Sequence, residues 1–157
     1  MKPVKSKLSY NEVLVKMAAY CAYQERSLIE LQNKLTALGL DEQEQKEVID
    51  FLAHENYWNE ERFAFTFVKS KLHQHHWGKV KIKFELSKKV KDYTLIARAL
   101  DTIDHDEYQE ILEKVLLSKK SSYSSDNPAT RQKLIRYALQ KGFSYDEIIE
   151  KIDTLFK

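Results

Sequence analysis

Three stretches of this chain carry one apolar spacing, and their anchors lie 51 and 52 residues apart. Counting from Gly39, Val90 and Gly142, the position eight before holds Leu31, Ile82 and Leu134, and the position four before holds Leu35, Leu86 and Ala138. Ten after stand Ile49, Leu100 and Ile152, and thirteen after stand Leu52, Ile103 and Leu155. Steps of three and four place apolar side chains along one helix face. A period of this size is the signature of tandem helical units, each needing further helices to close a core. With only 3 Gly and 2 Pro, the chain has few of the residues that tight turns of a sheet-rich fold require. The expected fold is all-α, built as three tandem three-helix repeats with about nine helices.

Capping signals mark where the helices begin. Ser9 with Glu12, Ser27 with Glu30, and Ser144 with Glu147 have the spacing of capping boxes, and Asp41 and Glu44 open another helix. Asn59, Asp92 and Asp104 are further N-cap candidates, and Asn127-Pro128 puts proline at a first helical position. The third helix of each repeat is expected at residues 9–24, 59–73 and 107–119. Boundaries follow: a flexible basic tail at 1–8, repeats at 9–56, 57–104 and 105–157, and a polar linker at Ser121–Asp126. Gly39 and Gly142 suit the left-handed conformation that ends many helices. Val90 does not, so its turn either carries a strained positive φ or is rebuilt with negative φ; the second is preferred here.

Net charge is only +2, but the charges are segregated. Residues 40–61 hold eight acids and Lys46 alone; residues 62–98 hold ten Lys/Arg against Glu85 and Asp92; residues 99–113 hold six acids and no Lys/Arg. Such blocks are either solvated helix faces or a surface for a polyanion or acidic protein. The lone Cys21 excludes an intramolecular disulfide and reads as a small buried thiol. His73, His75 and His76 are the only metal-like cluster, but no Cys or carboxylate completes a ligand set, so neither metal nor cofactor is expected. Protonation of this loop would add charge toward an acidic partner. No phosphate-binding glycine loop or nucleophile elbow is present, and the carboxylates sit at caps and on polar faces, so no enzyme activity is expected. No apolar run approaches the ~20 residues of a membrane span, and no signal-peptide core is present. A cytoplasmic monomer is expected.

The candidate contact residues are basic. Lys69, Lys71, Lys79, Lys81 and Lys83 alternate with apolar or His residues around Trp77, with Lys79 and Lys83 on one helix face. Arg62 opens the same block. Arg131, Lys133 and Arg136 form a smaller basic patch in the third repeat. Arg26 stands near the start of a helix, where the dipole disfavours it, which suggests a partner. The alternative for all of these is solubility and packing of long apolar stems. Trp58 and Trp77 are read as packing residues ahead of base-stacking platforms.

Several of these segments together resemble the RecX family of regulators of the RecA recombinase. They are Arg26-Ser27-Leu28-Ile29-Glu30-Leu31-Gln32-Asn33-Lys34-Leu35 with Gly39; Tyr57-Trp58-Asn59-Glu60-Glu61-Arg62-Phe63-Ala64; Trp77-Gly78 followed by Ile82 and Glu85-Leu86; and Lys141-Gly142-Phe143-Ser144-Tyr145. The resemblance runs from about Leu14 to Phe156. Val90-Lys91 departs from it, since the family commonly has Gly and then an apolar residue there; Asn59-Glu60 replaces the more usual Asp pair. The resemblance implies an elongated, curved array of three-helix repeats lying in the groove of the RecA–DNA filament. It implies a partner, the RecA filament, with weak contact to single- or double-stranded DNA, and it implies an inhibitor of recombinase activity in DNA repair and recombination. Two other classes stay open: a nucleic-acid-binding helix-turn-helix protein, and a non-enzymatic helical scaffold.

Overall fold

The computed structural model describes residues 8–123 and 127–156; residues 1–7 of the expected tail and 124–126 of the expected linker lie outside them. Among the described residues there are nine α-helices and no strand. They are α1 Tyr10–Tyr23, α2 Leu28–Ala37, α3 Glu42–His54, α4 Glu60–His73, α5 Lys79–Ser87, α6 Tyr93–Asp101, α7 His105–Lys120, α8 Pro128–Gln140 and α9 Tyr145–Leu155. The chain forms two compact units, one ending at Phe63 and the other starting at Ala64.

Side-chain caps open eight of these helices, each satisfying an N–H that has no partner inside the helix. Ser9 accepts from Glu12 N–H, Ser27 from Glu30, Asn59 from Arg62, Asp104 from Glu107 and Asn127 from Thr130. Asp92 accepts from both Thr94 and Leu95. Asp41–Glu44 and Ser144–Glu147 close as full reciprocal boxes. At Ser27, which is fully buried, the hydroxyl also donates to Glu30 Oε1 at 3.1 Å.

In the first unit α1 and α2 both pack on α3. Val13, Met17 and Cys21 from α1 meet Leu31 and Leu35 from α2 and Val48 and Leu52 from α3, with Leu40 closing the turn between the last two. Trp58 packs against this core half-buried, which is the packing role expected of it. Burial raises the Cys21 thiol pKa, which keeps it protonated and unreactive.

In the second unit α5 packs on α6, while α7, α8 and α9 pack on one another. Ile82, Leu86, Leu134 and Ile152 are fully buried, as the spacing predicts. Four of the expected layer residues are not: Ile49, Leu100, Ile103 and Leu155 are only half-buried. Their places are taken by Val48, by Leu95, Ile96 and Ala99, and by Ile148. The turn that leads into the last helix of a repeat also differs in one of the three repeats.

That difference centres on Val90. At the outer turns, Leu40 N–H donates to Leu35 O at 3.1 Å and Phe143 N–H to Ala138 O at 3.2 Å. Each bond reaches back five residues through a positive-φ glycine, Gly39 at 89° or Gly142 at 100°. At the middle turn Val90 N–H reaches back only four, to Leu86 O at 2.9 Å, and no residue there has positive φ. Val90 is buried like Leu40 and Phe143, so it matches them and not the glycines, and Lys91 lengthens the link to Asp92 by one residue. Val90→Gly should therefore destabilise, by about 2–3 kcal/mol from lost burial and added chain entropy. A denaturant melt in which the variant is equal to or more stable than the parent would contradict the rebuilt turn.

The α5 N-terminus has no capping side chain, because its N-cap is Gly78. Its donors are satisfied by the end of α8. Gly78 N–H bonds to Lys141 O at 2.7 Å and Val80 N–H to Gly142 O at 3.0 Å. Between them, Lys79 N–H bonds to the Tyr108 hydroxyl at 2.9 Å. A Cβ on Gly78 would stand 2.4 Å from the Gly142 and Phe143 backbone, so glycine is what allows the two turns to touch. Tyr108 stacks on Phe143 with ring centroids 5.3 Å apart. Burial holds its hydroxyl protonated far above the ordinary tyrosine range; the Lys79 N–H opposes this and the Glu147 carboxylate reinforces it.

Candidate partner-binding surface

The densest basic site is built around the turn between α4 and α5. His76 takes a left-handed conformation, φ 55°, and sends the chain back over the end of α4. Trp77 N–H then donates to Lys71 O at 3.0 Å. The indole consequently lies beside Lys71, whose Nζ is 4.9 Å from the ring centroid. Lys81, on the first turn of α5, brings its Nζ to 4.6 Å from the same ring. Lys141, at the end of α8, donates from Nζ to His75 O at 2.6 Å, and the His75 ring lies 5.7 Å from Trp77. Two lysines and a histidine thus lie around one indole, and Lys141 joins them through the His75 carbonyl. Desolvation and then the Lys81 charge lower the Lys141 pKa; desolvation and then Lys71 and Lys141 lower that of His75. Among the described residues no carboxylate pairs with any of the four.

The other basic candidates are dispersed. Lys79 lies over the Tyr108 ring at 4.7 Å, and Lys83 is exposed. Lys69 borders a recess lined by Phe65, His73, Thr102, Ile103 and Glu107. Arg131 pairs with Asp153 at 2.6 Å, tying α8 to α9. Lys133 sits 5.1 Å over Tyr123, and Arg136 is exposed. His73 pairs with Glu107 at 3.2 Å, and among the described residues no three His, Cys, Asp or Glu side chains converge as around a metal ion.

Arg26 and Arg62 serve the first unit from within. Arg26 Nε donates to Tyr20 O at 2.9 Å, its guanidinium lies 3.6 Å over the Tyr20 ring, and Glu30 is 3.8 Å away. Those contacts answer the unfavourable helix-start position that suggested a partner. Arg62 reaches Glu25 at 2.6 Å, Asn56 O at 3.2 Å and Tyr57 O at 3.1 Å, clamping the turn in which Asn56 has φ 62°. Lysine has one point charge where this site uses a planar fork. Arg62→Lys should cost about 1–2 kcal/mol, at the low end because the side chain is partly exposed. Equal urea midpoints for variant and parent would remove the clamp.

Sequence reasoning singled out Lys71 and Lys81 as contact candidates and Trp77 as a packing residue, and did not join His75 and Lys141 to them. Lys141 is 66 residues from His75, and only the docking of α5 on α8 joins them.

Family models match two segments of the chain: residues 59–100 match "RecX, second three-helix domain", and residues 106–152 match "RecX, third three-helix domain". This chain belongs to the RecX family. A Regulatory protein RecX of Clostridium perfringens is 34% identical over 123 residues, covering 74% of this chain and 56% of the relative. One from Oceanobacillus iheyensis is 30% identical over 139 residues, covering 86% of this chain and 51% of the relative. The chain thus spans a little over half the length of these curated relatives. The crystal structure of RecX from Lactobacillus salivarius superposes with a TM-score of 0.82 at 27% identity, covering 93% of this chain and 96% of that one. Within the RecX match, Lys71, His75, Trp77 and Lys81 fall in the second three-helix domain and Lys141 in the third. No helix among the described residues is long and apolar enough to cross a membrane.

Proposed function

We propose that this RecX-family protein binds the RecA–DNA filament and limits recombinase activity as a non-catalytic regulator. The observation that carries the reading is the match to consecutive RecX three-helix domains across residues 59–152, bearing the basic block of residues 62–98. Repeats at 9–56, 57–104 and 105–157 would each meet part of a partner that itself repeats, so modest contacts multiply through effective concentration. DNA contact assists and protein contact dominates, and the protein acts as a monomer in the cytoplasm.

The test is recombinase-driven strand exchange with the purified protein added below one copy per recombinase subunit, alongside DNA binding by the protein alone at moderate salt. Inhibition with weak DNA binding supports the regulator. Tight sequence-specific binding without inhibition would make it a helix-turn-helix DNA-binding protein, and neither activity would leave a scaffold.

A further inference from the structure

We propose that Lys71, Lys81 and His75 around Trp77, with Lys141 held on the His75 carbonyl, form a binding site for the phosphate backbone of a single nucleic-acid strand. Their convergence is specific to the tertiary structure: the four come from α4, the turn after it, the start of α5 and the end of α8. Two ammonium groups lie within 5 Å of one indole centroid, at 4.9 and 4.6 Å. Cation–π attraction holds both ammonium groups beside this half-buried ring. A third ammonium is held by its bond to His75 O. These cations repel one another: after desolvation, the Lys81 charge lowers the Lys141 pKa, and the Lys71 and Lys141 charges lower that of His75. Among the described residues no carboxylate pairs with them, so their field is open to an external anion.

The site fits a phosphate strand better than an acidic peptide. It offers point charges and no guanidinium fork, so it lacks the planar match to carboxylates that arginine supplies. Trp77 serves to space the lysines, and base identity is not read. The site deepens the filament reading, and rests on it only for which strand is met.

The experiment uses the full chain and a fluorescent oligothymidylate, with binding followed by anisotropy across a chloride series. The Lys71→Gln/Lys81→Gln variant, its folding checked by circular dichroism, is compared with the parent and with Lys16→Gln/Lys46→Gln, which removes the same charge from exposed positions of the first unit. Each lost phosphate contact should flatten the slope of log affinity against log salt by about 0.7, so the pair should lose about 1.4 and bind roughly 20-fold more weakly at 0.1 M salt. The control pair should change far less. Equal losses in both variants, or an unchanged slope in the first, would overturn the site. Inorganic phosphate that displaces the strand much better than chloride of equal ionic strength would make it a small-anion site instead. Loss of recombinase inhibition with DNA binding intact would assign the cluster to protein contact and overturn the proposal. A protein that inhibits the recombinase but binds no strand sinks this site and leaves the regulator standing; strand binding through the cluster without inhibition does the reverse.

Discussion

Gly78→Ala should lose about 3–5 kcal/mol of stability although it adds one methyl group. The added Cβ would lie 2.4 Å from Gly142 C, Gly142 O and Phe143 N, all backbone atoms that no rotamer change can move. Relief requires α5 to lift from the end of α8. That separates Gly78 N–H from Lys141 O and Val80 N–H from Gly142 O, and an unmet buried backbone donor costs about 1–3 kcal/mol. Gly142→Ala should cost a similar amount, since its Cβ would strike Lys81 Cβ and its φ is 100°. Gly39→Ala is the control. Its φ is 89°, but nothing lies within 4 Å of the new atom, so only the left-handed conformation is penalised, by about 1–2 kcal/mol. Urea unfolding of the three variants separates docking from conformation. A Gly78→Ala midpoint no lower than that of Gly39→Ala would mean that α5 does not dock through its glycine.

Leu86→Ala should cost about 2–5 kcal/mol. Leu86 is fully buried on a helix of nine residues, too short to persist without tertiary packing. Ile82 and Val90, buried above and below it, are held by the same backbone and cannot close the cavity. Leu100, one of the half-buried layer residues, gives the comparison: Leu100→Ala should lose well under half as much, because part of its side chain is already in water. A Leu86→Ala midpoint within error of the parent, at an unchanged denaturant slope, would remove α5 from the core.

The two glycine-ended turns were legible because a positive φ has a residue signature. The middle turn was not read in register. Val90 sits at the spacing of Gly39 and Gly142 from the apolar residues before it, yet it occupies the structural place of Leu40 and Phe143. Moving a single residue from one side of a turn to the other preserves the total spacing, and a periodicity argument counts only that total. Asn56 and His76 also end helices with positive φ. Asparagine is a known candidate for that role, whereas histidine at position 76 was read as part of a polar or metal-like loop.

The sequence alone determined the helices, their caps and their number, because these depend on neighbours three or four residues away. It also determined which faces are apolar, and so the all-α repeat class. What it left undecided is which charges are free. Arg26, Arg62 and Arg131 look like surface cations in the chain, yet they are tied to Glu30, Glu25 and Asp153 in the fold. Lys141 looks like an ordinary residue before a helix-ending glycine, yet it completes a basic cluster with His75 and Lys81. Pairing between charges depends on which helix end meets which, and here two glycines at positions 78 and 142 decide that meeting by letting backbones touch. Such a contact involves no side chain on either partner, so only the tertiary structure could reveal it.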